Sequence, residues 1–208
     1  LELLTPVAKS WPSEFCLEAN KHAIQVLGGY GYTKDFPLER FYRDNRLNPI
    51  HEGTHGIQAL DLLGRKIFMG NGKTFHYLLT LVRETISASK VDPELDEFGK
   101  QFESLLVQLE SVVEIIKLTR EKSGDYIGLS NAGIFLDTFG HILIGWMWLK
   151  QAAVVFKSRK KYSQNPFYLG KKATIRFYFG HEFPRIQERL RFIERIDSAF
   201  VTMEKDWF

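Results

Sequence analysis

Leu95, Phe98, Phe102, Leu105, Leu109, Val112 and Ile116 follow one another at alternating steps of three and four residues. That spacing lines one face of a helix, whereas a strand would scatter the same residues over both of its faces. A seam of this length needs other helices to cover it, so the chain is expected to build a bundle. Pro93 suits the first turn of this helix, where its missing N–H costs nothing. Ser123-Gly124-Asp125 reads as the turn that ends it.

The neighbouring segments follow the same period. Lys73–Lys90 is expected to be a helix with Phe75, Leu78, Leu79, Val82 and Ile86 inward. Tyr126–Lys157 is apolar nearly all round and is expected to be one continuous, central helix. Residues 127–149 have the length of a membrane span. Asn131, Asp137 and His141 lie within them, and such groups are costly at bilayer depth, so a helix buried in a bundle is the better reading. Arg159–Asn165 reads as a basic linker. Pro166–Ile196 reads as a helix bent near Pro184, with a tail that packs back through Phe200, Trp207 and Phe208.

Upstream, Pro12 is expected to open a fresh helix that runs to Leu27 and stops at Gly28-Gly29. Pro37–Leu47 reads as a short helix. Glu52 or Gly53 opens another, carrying Ile57, Leu60, Leu63, Ile67 and Phe68 on one face. Met69-Gly70-Asn71-Gly72 is the clearest break, and a domain boundary is placed there. Residues 71–208 can close a bundle of their own. Residues 1–70 have too few helices to do so and are expected to complete a bundle formed with other segments. The fold class is therefore all-α in two parts. Because the chain begins at Leu1, a piece of a longer protein is expected.

The chain has 208 residues and 44% hydrophobic content, enough for a sizeable core. One cysteine, Cys16, excludes an internal disulfide and a cysteine-based zinc site, and is expected to be buried. Cysteine usage fits a reducing, cytoplasmic location. No metal site is expected. Net charge is only +3, yet from Arg159 to Arg195 ten Lys/Arg face three Asp/Glu. A solvated helix face accounts for that stretch; CoA phosphates, an anionic membrane or nucleic acid are the functional options.

The chemistry-bearing residues cluster near the start. Glu52 precedes Gly53-Thr54 at a helix mouth, where a carboxylate is ordinarily a capping device. Gly53 permits close approach of a ligand, and Thr54 and Gln58 add a hydroxyl and an amide one turn apart. Gln25 sits just before a glycine turn whose N–H groups could face a phosphate. Two such turns flanking one carboxylate suit an anionic cofactor. Asp137 and His141, four apart on an apolar helix, could be half of an acid–base pair or a buried hydrogen bond. Arg40, Arg43, Asp44 and Arg46 form a charged cluster read as an ion-pair network.

In order and spacing, Gln25-Val26-Leu27-Gly28-Gly29-Tyr30-Gly31-Tyr32, Phe36-Pro37-Leu38-Glu39-Arg40, Tyr42-Arg43-Asp44, Glu52-Gly53-Thr54 and Ile57-Gln58 resemble the final catalytic bundle of the acyl-CoA dehydrogenases. The likeness covers roughly residues 1–68. Residues 73–208 resemble, more loosely, the extra helical domain of longer bacterial members, including those similar to methylmercaptopropionyl-CoA dehydrogenases. The resemblance implies FAD as cofactor and α,β-desaturation of an acyl-CoA. Glu52 matches the catalytic base that takes the α proton, and its N–H would bind the thioester carbonyl; a hydride then passes from the β carbon to the flavin. Gly53 matches a substrate contact, and Thr54, His55 and Gly56 a stretch that touches FAD. Gln25, Val26, Leu27, Gly28 and Gly29 match the loop holding the FAD diphosphate and adenosine, usually on a neighbouring subunit. A homo-oligomer and an electron-transfer flavoprotein as acceptor follow as implied partners.

Two positions depart from the pattern. His51 stands where many relatives carry tyrosine and is expected to pack and shape the pocket. His55 stands where a small polar residue is common. Without the isoalloxazine pocket, the 208-residue chain is expected to be inactive alone. Three other readings stay open: a non-catalytic relative that binds duplex DNA, like the alkylation-response flavoproteins; residues 73–208 as an oligomerisation module; and an acyl-CoA oxidase.

Overall fold

The computed structural model describes residues 1–90, 92–157, 164–199 and 201–207. It is all-helical, with no strand among the described residues. A short 3-10 turn (Glu2–Leu4) leads into α1 (Thr5–Leu27), α2 (Gly29–Tyr32), α3 (Leu38–Asn45) and α4 (His55–Asp61), which continues through a π-helical turn, Leu62–Lys66. After the break at 69–72 come α5 (Lys73–Ser89), α6 (Pro93–Ser123), α7 (Asp125–Gly128), α8 (Ala132–Lys157), α9 (Pro166–Phe177) and α10 (Phe183–Glu194).

The α6 seam is buried throughout, from Leu95 to Ile116. Asp92 caps this helix by accepting from the Glu94 N–H at 3.0 Å, and Pro93 fills its first turn. All the inward positions read for α5 are buried as well. Arg83 ties the two helices together, donating to Glu103 at 2.9 Å and to both carboxylate oxygens of Glu110.

α8 is the central helix, packed against α1, α4, α5, α6, α9 and α10. By length and composition Ala132–Phe156 could also cross a membrane; more than half of its most apolar 18-residue stretch is buried inside the protein. Tyr126–Lys157 is not one helix, as expected, but is broken at 129–131. Gly128 closes against Arg120 with no space for a side chain, and Asn131 turns its amide to the Asp197 carbonyl at 3.1 Å. These tertiary contacts override an apolar run that would otherwise stay helical.

Three further expectations are corrected. Pro12 lies inside α1 rather than at a helix start. Its ring removes a bond to the Ala8 carbonyl, but Ala8 is exposed, so water can take that place. Cys16 is exposed, not buried. On α4 the inner face holds Ala59, Leu62, Leu63 and Ile67, while Ile57 and Leu60 are 59% and 47% exposed. The bend expected near Pro184 is a π-helical turn, Tyr178–Glu182. Widening just before the proline accommodates a ring that would collide with the preceding turn.

One apolar cluster runs from Leu3 of the 3-10 turn and Val7 of α1, through α4 and α5, to Ile193 of α10. It crosses the break at 69–72, where Gly70, Asn71 and Gly72 are all left-handed. The outer part of α1, beyond Ser10, and all of α3 bury no residue. Val26 of α1, Tyr30 and Tyr32 of α2, Phe36 between α2 and α3, and Phe41 of α3 stand exposed. Phe200, Phe208 and the basic residues from Arg159 to Lys161 lie outside the described residues; Trp207 is exposed rather than packed back.

Candidate functional site

Glu52 sits three residues before α4, in a turn, not at the helix start. The chain leaves α3 through overlapping turns that end with the His51 N–H on the Leu47 carbonyl, over a buried Pro49. Glu52 and Gly53 then adopt successive left-handed conformations, φ +53° and +89°. Such backbone costs about 1–2 kcal/mol at a residue with a Cβ, so other contacts must hold Glu52 in it. They are present. Gln58 Nε2 donates to the Glu52 carbonyl at 3.2 Å, and Lys9 Nζ donates to the Gly53 carbonyl at 2.7 Å and the Asn48 carbonyl at 2.9 Å. A Cβ at position 53 would stand 2.6 Å from Gln58 Nε2, so glycine is demanded twice there. The turn presents the Glu52 side chain outward, and it is exposed on this chain.

The residues around it divide. Thr54 occupies the N-cap position of α4, exposed and without a side-chain capping bond. Gly56 is exposed, with open space where a Cβ would be. His51 is exposed, with Nε2 3.3 Å from Asn48 Oδ1, and does not pack as expected. The His55 ring turns inward, its Nδ1 2.5 Å from Ser10 Oγ and its Nε2 3.5 Å from Asp137 Oδ1. One ring nitrogen is thus hydrogen-bonded within the chain and the other faces a carboxylate. The Gln58 amide, read as a ligand group, is committed to the Glu52 carbonyl.

The second glycine turn is remote within one chain. Gly28 caps α1 at φ +57°, while Lys9 on the same helix touches Gly53. At 1.5 Å per residue, Gly28 lies about 28 Å further along α1 than Lys9. Gln25, Val26, Gly28 and Gly29 are exposed there and Leu27 is half-buried. One chain therefore gathers Glu52, Gly53, Thr54 and His55, and holds Gln25 to Gly29 at the far end of α1.

Lys9 and Ser10 escaped sequence reasoning. Their signal was Ser10 completing the spacing of Leu3 and Val7 on the face that α1 buries. Asp137 and His141 do not form a pair with each other. The His141 ring stands edge-on to Trp11 at 5.2 Å. Burial, seconded by Arg189 and opposed by Glu182, pushes His141 down to about 4. Burial raises the Asp137 carboxyl, against His55 and Arg189 and with Glu14. A cleft of about 390 Å³ between Trp11, Phe15, Asp137 and Arg189 opens beside them. A larger cavity of about 600 Å³, over Phe68, Phe75 and Arg120, includes no residue of the Glu52 turn.

Two remaining clusters resolve structurally. In the group at α3 the expected ion-pair network is not present among the described residues: Arg40 stands 3.6 Å from Asp44 as an exposed pair. Along α9 and α10, Arg176 meets Glu94, Arg185 meets Glu182 and Arg191 meets Glu188. Lys171 and Lys172 lie over the rings of Trp148 and Phe156. Much of the described basic charge is thus matched or laid on aromatic faces.

A family model described as acyl-CoA dehydrogenase, C-terminal domain, matches residues 2–67, and a second, acetyl-CoA dehydrogenase C-terminal like, matches residues 78–204. The chain belongs to the acyl-CoA dehydrogenase family. Among relatives, it is 25% identical over 215 residues to the broad-specificity linear acyl-CoA dehydrogenase FadE5 of Mycobacterium tuberculosis, a match covering 100% of this chain and 35% of that protein. A butyryl-CoA dehydrogenase of Syntrophomonas wolfei is 25% identical over 207 residues, covering 98% and 34%. The 3-methylmercaptopropionyl-CoA dehydrogenase of Ruegeria pomeroyi is 38% identical over 84 residues, covering 40% of this chain and 14% of that protein. This acyl-CoA dehydrogenase chain spans about a third of the length of the first two.

Proposed function

We propose that this chain is the C-terminal part of an FAD-dependent acyl-CoA dehydrogenase, with residues 1–70 contributing to the catalytic bundle and residues 71–208 forming an added helical module. Glu52 is its base, taking the proton α to the thioester. One observation carries this reading. Glu52 is held in a left-handed backbone conformation by contacts to its own and the neighbouring carbonyls, which leave its carboxylate free and facing outward. A capping carboxylate would point at helix N–H groups; among the described residues the N-cap of α4 is Thr54, and no hydrogen bond from a helix N–H to the Glu52 carboxylate is present.

The chemistry asked of this chain is narrow. Glu52 accepts one proton, and its main-chain N–H is a candidate donor to the thioester oxygen, which acidifies the α carbon. Gly53 leaves room for substrate. When bound, FAD supplies the two-electron acceptor for the β hydrogen. Gln25 to Gly29 and the Thr54–Gly56 backbone are the residues proposed to hold it, the former on behalf of a neighbouring subunit. Gly29 supports that assignment: a Cβ there would meet nothing in this chain, so its packing gives no reason for glycine. The exposed apolar side chains of α1, α3 and α4 fit a surface covered by the rest of the polypeptide and a second subunit. An electron-transfer flavoprotein is the proposed acceptor.

The test is Glu52→Gln in the full-length enzyme. The change keeps size and removes the base. Flavin reduction by acyl-CoA should fall by at least 10³-fold, on the order expected for a lost general base, while FAD stays bound. Retained reduction would reject Glu52.

A further inference from the structure

The turn that carries Glu52 is gripped from two sides by residues that the proposed chemistry does not use. From α1, the Lys9 ammonium bridges the Asn48 and Gly53 carbonyls and closes the loop between them over a single charge. From α8, in the C-terminal module, Asp137 faces His55 Nε2 at 3.5 Å, while Ser10 Oγ meets Nδ1 on the other side of the ring. His55 is the first residue of α4 and lies three positions after Glu52. The two grips bracket the left-handed pair Glu52-Gly53.

That pair needs bracketing. A glutamate in the left-handed region relaxes unless its surroundings over-determine it. A base for a carbon acid must also be placed to a fraction of an ångström, since a 1 Å error can cost ~10²-fold in rate. Gln58 holds the Glu52 carbonyl, but Gln58 sits on α4 and moves with it. Among the described residues, the polar contacts that refer the turn to other helices are those of Lys9, and those of Ser10 and Asp137 through the His55 ring. The surroundings of Asp137 are mixed in charge: Glu14 of α1, Arg189 of α10 and His141 on its own helix share the cleft.

We propose that Lys9 and Asp137 are positioning residues for Glu52, and that through Asp137 the C-terminal module braces the catalytic turn. The inference rests on the reading of Glu52 as the base. It gives the added module a direct mechanical link to the site, independent of any role in assembly.

The experiment uses the full-length enzyme with Lys9→Met, Ser10→Ala, Asp137→Ala and Asp137→Asn. Amide hydrogen exchange over residues 47–58 is measured beside flavin reduction by acyl-CoA and its α-deuterium isotope effect. In Lys9→Met, exchange in that segment should rise at least fivefold and flavin reduction fall about 10–100-fold, scaled to the loss from misplacement. KM should change less than twofold, FAD content should stay full, and the isotope effect should grow. Asp137→Ala should act in the same direction more weakly, and Asp137→Asn, which keeps an acceptor opposite Nε2, should recover much of the loss. If Lys9→Met fails to fold, Ser10→Ala and Asp137→Ala carry the test. Unchanged exchange over 47–58 overturns the inference, as does raised exchange with flavin reduction within twofold of wild type. Reduction that survives Glu52→Gln would instead sink the reading beneath it, and that result is read from a different variant.

Discussion

Gly140 of α8 lies against the indole of Trp11 with no room for a methyl group between them. This contact sets how closely α1, which carries Lys9 and Ser10, approaches the helix that carries Asp137. Gly140→Ala would gain up to ~1 kcal/mol of helix propensity and lose about 1–3 kcal/mol to overpacking. A net destabilisation is expected in urea unfolding of the full-length protein. In a Trp11→Ala background the same change should be neutral or stabilising, because the colliding ring is gone.

Gly53→Ala tests the turn itself. The new methyl would fall on the Gln58 amide and sit at φ +89°, so it should both strain the backbone and release the Glu52 carbonyl. Flavin reduction is expected to drop at least tenfold, more than for Gln58→Ala, which loses only the hydrogen bond. Stopped-flow bleaching of the flavin would rank the two variants.

His141 makes stability depend on pH in a defined direction. Its folded value is about 4 against an ordinary 6.5, so between those limits the unfolded chain takes up a proton that the folded chain refuses. Stability should therefore fall as pH drops through that window, and the term should vanish above it. His141→Gln removes it. The variant should show a shallower loss between pH 6.5 and 5, by at most one proton's worth of slope. The raised Asp137 carboxyl, pushed up by burial, works the other way. Denaturant midpoints taken every half pH unit would resolve the difference.

Phe102 is wholly buried, its ring 4.9 Å from that of Phe183 and tilted by 43°. Phe102→Ala should cost about 3–5 kcal/mol, the range for truncating a core aromatic. Tyr77→Ala on α5, 64% exposed, should cost little in the same assay.

The periodic segments were legible from the sequence because burial in a bundle selects period. Every position of the α6 seam and every inward position of α5 lies where its spacing put it. The same reasoning misplaced Ile57 and Leu60. Periodicity reports that a face is apolar, not which body covers it, and these two face away from the chain's own core. The break at 129–131 was hidden because its causes are contacts, not residue types: Arg120 closes on Gly128 across the turn at 124, and the Asp197 carbonyl reaches Asn131 from far along the chain. Glu52 was visible through its local motif. Lys9, Ser10 and Asp137 were not recognised around it, since each meets the turn only across helices that contact one another in the folded chain.

The apolar cluster that runs unbroken past 69–72 limits how this molecule can be taken apart. A protease nick at 69–72 should leave two fragments that travel together, because α8 of the second packs on α1 and α4 of the first. Swapping modules between relatives would accordingly fail at α8 and not at the linker. A successful graft must bring residues 132–157 together with the surfaces of α1 and α4 cut to receive them.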